Sequence, residues 1–200
     1  TVNENVLIPR QDTEILVEEV LRELHDGMRV LDMCTGSGCI LLSLLHYSND
    51  CEGLGVDLSA EALEVAGRNV LKVLTPEKAE HAHFLQSDLF EKVEGKFEII
   101  VSNPPYIASA EVEKLMPEVR DHEPRMALDG TEDGLYFYRR IIEEAGKHLV
   151  SSGMLFFEIG YDQGQAVSEL MRTGGYREVQ VVQDYAGLDR VVLGTYCERN

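Results

Sequence analysis

Short apolar runs alternate with longer amphipathic stretches along almost the whole chain, and this alternation restricts the possible fold more than any other feature. The short runs are rich in Val, Ile and Leu, which is typical of strands buried on both faces of a parallel sheet. They predict strands at residues 28–33, 53–56, 83–86, 98–102, 154–159, 178–183 and 190–195. The amphipathic stretches predict helices at residues 13–24, 39–46, 110–119, 135–149 and 163–172, and another from Ser59 to about residue 74.

Strands that alternate with helices through short connections form α/β domains, because each crossover places the next strand parallel to the last. We therefore expect residues 1–200 to form one α/β domain with a doubly wound, mostly parallel seven-stranded sheet. No helix separates the last two predicted strands, so these should form an antiparallel pair at the end of the sheet. A hydrophobic content of 44% is sufficient for one core.

Composition excludes several classes of function. The net charge of −18 argues against direct binding of nucleic acid, because that affinity comes largely from Lys and Arg at phosphates. We expect a monomer whose partner is a protein or a small molecule. No apolar run approaches the roughly 18 residues of a membrane span. The four cysteines form no C-x-x-C pair and the histidines lack ligand spacing, so we expect a cytoplasmic protein without a metal site.

A glycine-containing turn follows the first predicted strand and indicates a cofactor site. Gly36 and Gly38 allow the backbone to approach a ligand closely, and Thr35 and Ser37 flank Gly36. The second predicted strand leads to Asp57, followed by Leu58. A carboxylate at this position can accept hydrogen bonds from both hydroxyls of a ribose.

Three acidic residues near the ends of successive strands restrict the type of cofactor. Asp32, before the turn, would repel a pyrophosphate but can hold an ammonium group. Asp88 and the backbone of Leu89 are placed to bind an adenine. Leu41 stands in place of the third glycine of a dinucleotide fingerprint, which argues against a nicotinamide oxidoreductase. This combination suits S-adenosylmethionine, a cationic cofactor without phosphates.

The most specific motif is Asn103-Pro104-Pro105-Tyr106, which ends the fourth predicted strand. Proline has a fixed φ and no N–H, so two prolines form a rigid loop that offers backbone acceptors. The Asn103 side-chain oxygen and the Pro104 carbonyl can accept the two N–H bonds of an amide and direct its nitrogen toward a methyl donor. Tyr106 can stack on the planar amide. The motif therefore predicts methyl transfer to an amide nitrogen, with Asn103 also adjoining the cofactor.

Together with the preceding turn, this motif resembles those of amino-group methyltransferases, which modify adenine, cytosine or glutamine nitrogens. Residues 8–14 (Ile-Pro-Arg-Gln-Asp-Thr-Glu) and 123–135 are similar to segments of the release-factor glutamine N5-methyltransferases, the HemK family. The resemblance covers essentially the whole chain and implies a class I, Rossmann-like methyltransferase. It implies methylation of the glutamine in the Gly-Gly-Gln motif of peptide chain release factors, with S-adenosylhomocysteine as product. It also implies that Arg10 and Thr13 lie near the cofactor.

The sequence departs from that family in several respects, of which Asp12 in place of Glu and His122 in place of Tyr are the milder ones. Cys34 stands where the family has the first glycine of its turn. Family members also carry an N-terminal helical substrate-binding domain, to which no part of this chain corresponds, so we expect an isolated catalytic domain. Residues 136–140 are interpreted as helix packing rather than as part of the site.

Two alternative functions remain open. A DNA adenine N6-methyltransferase uses a closely similar four-residue motif on a flipped base, although the net charge and residues 8–14 argue against it. A catalytically silent, methyltransferase-like protein-binding module is the second alternative. The complete motif at Asn103–Tyr106 and the three acidic residues favour an enzyme.

Overall fold

The structure is a computed structural model that describes residues 1–197. Seven strands form within these residues: β1 (Arg29–Met33), β2 (Glu52–Asp57), β3 (Ala82–Gln86), β4 (Phe97–Ser102), β5 (Leu149–Glu158), β6 (Tyr176–Gln183) and β7 (Asp189–Tyr196). The helices are α1 (Thr13–Glu23), α2 (Cys39–Tyr47), α3 (Ala60–Val73), α4 (Pro76–Ala79), α5 (Ser109–Val112), α6 (Pro117–Arg120), α7 (Arg125–Leu128), α8 (Tyr136–Ala145) and α9 (Gly164–Thr173). No helix within residues 1–197 is long and apolar enough to cross a membrane.

The strands form one sheet in the order β3-β2-β1-β4-β5-β7-β6, which confirms the predicted doubly wound architecture. Strands β1 to β5 pair in parallel. Strand β7 lies between β5 and β6 and is antiparallel to both, so the predicted antiparallel pair is also confirmed. The connection between β6 and β7 is a short turn, and such a turn can join only antiparallel strands.

Alternation along the strands divides the core into two layers, one on each face of the sheet. In β5, Leu155 and Phe157 pack in the layer that contains the buried residues of α8 and α9. Phe156, between them, packs in the opposite layer with buried residues of α1 and α2. Successive side chains of a strand point to opposite faces, so a strand covered by helices on both sides is apolar throughout.

Two predicted helices are wrong in extent, and proline explains the first of them. The predicted helix at 110–119 is two short helices, because Pro117 has no N–H and its ring clashes with a preceding helical turn. The predicted helix at 135–149 ends at Ala145, before Gly146, and Leu149 already belongs to β5. The four-residue helices α4 and α7 are too short to show periodicity in the sequence.

Parallel register brings the carboxyl ends of the central strands to one edge of the sheet. Met33 in β1 lies opposite Val56 in β2 on one side and Ser102 in β4 on the other. The Ser102 hydroxyl donates a 2.6 Å hydrogen bond to the Met33 carbonyl, which fixes β4 against β1 where both strands end. The loops after β1, β2 and β4 therefore begin side by side, at the edge where ligands bind in this class of fold.

Candidate active site

The turn after β1 adopts left-handed backbone at every second residue. Cys34, Gly36 and Gly38 have φ of 63°, 55° and 77°. Glycine adopts such values without a steric penalty, whereas Cys34 adopts the glycine-like conformation despite its side chain. A Cβ at Gly36 would have no neighbour within 4 Å, so the space above this glycine is open. Gly38, by contrast, packs against Ala66 of α3 and directly precedes α2.

Asp57 connects the turn after β1 to the loop after β2. One carboxylate oxygen accepts a 2.8 Å hydrogen bond from the Gly36 N–H, and the other accepts a 3.0 Å bond from the Ser59 N–H. Burial raises the pKa of Asp57, and these backbone donors oppose that rise. Each oxygen keeps a second lone pair, so the carboxylate can still accept hydrogen bonds from a diol.

The third acidic position, after β3, combines an ion pair with a free backbone donor. Asp88 accepts a 2.9 Å hydrogen bond from Arg140 of α8, whose guanidinium lies 5.7 Å from the centre of the Tyr136 ring. Leu89 has a φ of 46°, an unusual conformation for a branched residue. Within residues 1–197 its N–H donates to no acceptor. An adenine placed here would meet a carboxylate and an unused N–H.

A cleft at this edge of the sheet contains most of the predicted site residues. The predicted residues that line it are Thr13, Thr35, Gly36, Ser37, Asp57, Leu58, Asp88, Leu89, Asn103 and Pro105. Five predicted residues do not line it: Arg10, Asp32, Gly38, Pro104 and Tyr106. Further lining residues were not predicted: Asn5, Val6, Leu7, Pro9, Met33, Cys34, Cys39, Ile40, Val56, Ser59, Ala62, Ser87, Pro124, Met126, Ala127 and Phe137.

Seven of the unpredicted lining residues come from two segments that lack periodic patterning. One precedes α1, and the other surrounds α7. Arg10 and Glu123 join these segments through a 2.6 Å ion pair, in which the Glu123 side chain is 3% exposed. Arg10 thus connects two walls of the cleft. The resemblance of residues 8–14 to a family segment was the sequence signal that this first segment lies near the site. Phe137 lines the cleft, although residues 136–140 were interpreted as packing.

Asp32 lies beneath the turn and is fully buried. One carboxylate oxygen accepts hydrogen bonds from the Thr35 hydroxyl at 2.6 Å and from the Leu41 N–H at 3.3 Å. The other oxygen has no partner within residues 1–197. Burial raises the pKa of Asp32 to about 7, against the effect of these two hydrogen bonds. Asp32 therefore stabilises the turn through these two hydrogen bonds.

The loop Asn103–Tyr106 directly follows β4, and we call it the corner. It presents two hydrogen-bond acceptors that the protein itself does not use. Within residues 1–197, neither the Asn103 side chain nor the Pro104 carbonyl takes part in a hydrogen bond. Asn103 is half-buried and lines the cleft, whereas both prolines are buried. An asparagine oxygen and a carbonyl oxygen on a rigid loop can accept both N–H bonds of a carboxamide.

Tyr106 lies on the core side of the corner and does not line the cleft. Its ring packs against the core layer that contains Tyr138, and its hydroxyl donates a 3.4 Å hydrogen bond to Glu158. Burial and the neighbouring Glu158 carboxylate raise the pKa of Tyr106, so the phenol stays protonated. Burial also raises the pKa of Glu158, an effect opposed by Thr13 and Arg190.

Comparison with known proteins identifies the family. A model of the methyltransferase small domain matches residues 10–119. A release factor glutamine methyltransferase of Thermodesulfovibrio yellowstonii is 44% identical over 96% of this chain and 69% of its own length. Its counterpart in Clostridium acetobutylicum is 45% identical over 96% of this chain and 68% of its own length.

This chain belongs to the release factor glutamine methyltransferase family. A solved structure of a release factor-specific protein-(glutamine-N5) methyltransferase from Alicyclobacillus acidocaldarius agrees with that assignment. It is 30% identical, covers 99% of both chains and superposes with a TM-score of 0.56. The resemblance stated from the sequence is therefore confirmed, and so is the class I methyltransferase fold.

The cleft fits the methyl donor of a class I methyltransferase. The open space above Gly36 admits a ligand close to the backbone. The remaining lone pairs of Asp57 suit ribose hydroxyls, and the unused Leu89 N–H suits a ring nitrogen. Thr35 and Ser37 in the same turn are buried and polar. No phosphate-binding cluster of Lys or Arg lines the cleft within the part of the chain that the structure describes.

Gly134→Ala should destabilise the corner. A Cβ at Gly134 would lie 2.3 Å from the Tyr106 carbonyl oxygen, and the residue has a φ of 72°. We expect the free energy of unfolding to fall by about 1–3 kcal/mol, because a left-handed alanine and a backbone clash both add strain. Gly67→Ala is the matched control: this helical glycine of α3 has no neighbour within 4 Å, so alanine should stabilise by about 0.5–1 kcal/mol. Urea unfolding measures both, and equal effects would contradict the close approach at Gly134.

Asp32→Asn should have a higher free energy of unfolding than the wild type, and this difference should grow as pH rises from about 4 to about 7. In this range the folded protein keeps a proton on Asp32, whose pKa burial raises to about 7, while the unfolded chain releases it. Proton uptake on folding means that the wild type loses stability as pH rises, by at most about 1.4 kcal/mol per pH unit from this group. Asparagine can accept the same two hydrogen bonds. Urea unfolding of both proteins at several pH values gives the difference, and a difference independent of pH would contradict the assignment.

Proposed function

We propose that this chain transfers a methyl group from S-adenosylmethionine to the side-chain amide nitrogen (N5) of the glutamine in the Gly-Gly-Gln motif of peptide chain release factors. The observation that carries the proposal is the pair of unused acceptors at Asn103 and Pro104, beside a cleft suited to the cofactor. The names of the relatives support the same substrate.

An amide nitrogen is a weak nucleophile, so the enzyme has to orient it. Its lone pair is delocalised into the carbonyl, and both N–H bonds lie in the amide plane. The Asn103 oxygen and the Pro104 carbonyl accept these N–H bonds, which fixes the plane of the amide and the direction of its lone pair. S-adenosylmethionine, when bound, supplies an electrophilic methyl group on a sulfonium sulfur.

The same two acceptors stabilise the charge that develops on nitrogen. As the nitrogen becomes cationic, its N–H bonds become stronger donors, so hydrogen bonds to Asn103 and Pro104 strengthen in the transition state. The acidified proton leaves afterwards, and no strong general base is needed. The half-buried phenol of Tyr106 keeps its proton, which agrees with a supporting role on the core side of the corner.

Apolar groups of the cleft exclude water around the amide. Met33, Val56 and Ala127 line it together with Pro105. In such surroundings hydrogen bonds to Asn103 compete less with water, and their orienting effect is larger.

The direct test incubates the protein with a release factor and S-adenosylmethionine, followed by mass spectrometry of the Gly-Gly-Gln peptide. We expect one added methyl group on the glutamine. A release factor with Gln→Ala in that motif is the control and should stay unmodified. Methylation of adenine in DNA, with no change in the release factor, would instead establish the DNA methyltransferase alternative.

Asn103→Ala and Asp57→Ala should separate catalysis from cofactor binding. Loss of one orienting acceptor at Asn103 should lower kcat by about 10²–10³-fold while the Kd for S-adenosylhomocysteine changes less than about threefold. Asp57→Ala removes two hydrogen-bond acceptors from the turn, so that Kd should rise about tenfold or more. Calorimetry and steady-state kinetics measure these values. Unchanged turnover in Asn103→Ala would exclude the orienting role.

A further inference from the structure

The carboxamide of Gln163 connects the catalytic corner to three other segments. Its Nε2 donates to the Tyr106 carbonyl at 3.0 Å and to the Gly134 carbonyl at 3.4 Å. Its Oε1 accepts from the Gly160 N–H at 3.0 Å and, at 3.4 Å, from the Tyr138 hydroxyl, whose proton it shares with the Glu158 carbonyl at 2.9 Å. One half-buried side chain thus joins the corner, the loop before α8, the loop after β5 and α8 itself.

Gln163 occupies the capping position of α9, but its side chain bonds to other segments instead of capping the helix. Gln163 is the residue before the first turn of α9, where a polar side chain usually caps the helix. Its side chain makes no capping hydrogen bond. All four hydrogen bonds of the carboxamide go to residues outside α9.

The corner depends on donors from elsewhere because its prolines have none. Pro104 and Pro105 carry no N–H, so the corner cannot hold itself by ordinary turn hydrogen bonds. Backbone support comes from the following segment, where the Ile107 N–H donates to Leu128 and the Gly130 N–H donates to Ile107. Within residues 1–197, the hydrogen bond to the Tyr106 carbonyl comes from Gln163.

Close packing makes the corner sensitive to that donor. A Cβ at Gly130 would lie 2.8 Å from the Pro105 carbonyl oxygen, so the backbones are in direct contact there. The Tyr106 carbonyl also contacts the backbone of Gly134, whose own carbonyl accepts from the same Gln163 amide. A shift of the Tyr106 peptide is therefore transmitted through Pro105 to the two acceptors that precede it in the chain.

We propose that Gln163 is a positioning residue for methyl transfer: its amide donor fixes the Tyr106 peptide and thereby the orientation of the Asn103 and Pro104 acceptors. This inference rests on the proposed function. Gln163 itself does not line the cleft, so it acts on the amide substrate only through the corner.

Gln163→Glu converts the donor into a group whose action depends on pH. As a carboxylate, the new side chain would place a negative oxygen against the Tyr106 and Gly134 carbonyls and release the corner. As a carboxylic acid it would donate one O–H to Tyr106 and keep both acceptor contacts. Two adjacent carbonyls and partial burial raise the pKa of such a carboxyl group. The titratable and charged groups around it, from β5, β7, α8 and the neighbouring loops, are Glu158, Arg190, Asp189, Asp162, Tyr138 and Tyr106.

The experiment measures kcat for methylation of a release factor by Gln163→Glu, divided by the wild-type value at each pH from about 5.5 to about 8.5. We expect a ratio within about fivefold of one at the acid end and a loss of about 10–100-fold at the alkaline end. Gln165→Glu, on the same helix, is the matched control, because within residues 1–197 the Gln165 side chain bonds only to Glu169 on the surface. Its ratio should show no comparable fall.

A second variant separates positioning from general loss of structure. Gln163→Met keeps the length of the side chain but offers no donor, so its kcat should be low at every pH. The KM for the release factor and the Kd for S-adenosylhomocysteine should stay within about threefold of the wild type. A Gln163→Glu ratio independent of pH, or a Gln163→Met variant with wild-type kcat, would overturn the inference.

Amide hydrogen exchange provides a readout that does not require turnover. The protection factor of the Ile107 N–H should fall in Gln163→Glu at high pH and recover at low pH relative to the wild type. If the wild type methylates no release factor, the proposed function fails, and these protection factors still decide whether Gln163 holds the corner. Unchanged protection at both pH values would refute that role.

Discussion

Parallel pairing of β1 with β2 on one side and β4 on the other is the constraint on which the site depends. Met33 lies opposite both Val56 and Ser102, so the three strands end together. The glycine turn, the Asp57 loop and the corner after β4 are therefore adjacent, although they are far apart in sequence. A shift of one residue in either register would also exchange the buried faces of the strands, so core packing protects the geometry of the site.

Polar groups of the site fall into two types: those that form hydrogen bonds within the protein and those that have no hydrogen-bond partner in it. One carboxylate oxygen of Asp32 is bonded within the turn that it supports, and the Gln163 carboxamide is fully used between four segments. The Asn103 side chain, the Pro104 carbonyl and the Leu89 N–H are unused within residues 1–197. Because unpaired polar groups are costly when water is excluded, the free groups indicate where ligands bind.

The sequence was sufficient for the parts of the fold that follow from periodicity. All seven strands and the five longer helices were predicted, since their apolar patterns extend over several residues. The segment around α5 to α7 was not, because Pro117 divides a pattern that otherwise looks helical. Residues 5–9 have no period at all, and their place in the cleft depends on long-range contacts such as the Arg10–Glu123 ion pair.

The site was predicted where a motif implies geometry and missed where it depends on packing. Asn103 and Asp57 were found because a turn after a parallel strand places them at the ligand-binding edge. The contacts of Gln163 could not be inferred, because a glutamine at the start of a helix gives no indication of which distant carbonyl it reaches. The ring of Tyr106 packs against the core, and its stacking on the substrate stays a prediction.

A crystal structure of the protein with S-adenosylhomocysteine and a glutamine peptide would test the arrangement of the corner most directly. Our account predicts that the Asn103 oxygen and the Pro104 carbonyl both lie within hydrogen-bond distance of the peptide carboxamide nitrogen, on the side that faces the sulfur. A carboxamide bound elsewhere, or a corner whose two acceptors turn away from the sulfur, would contradict it.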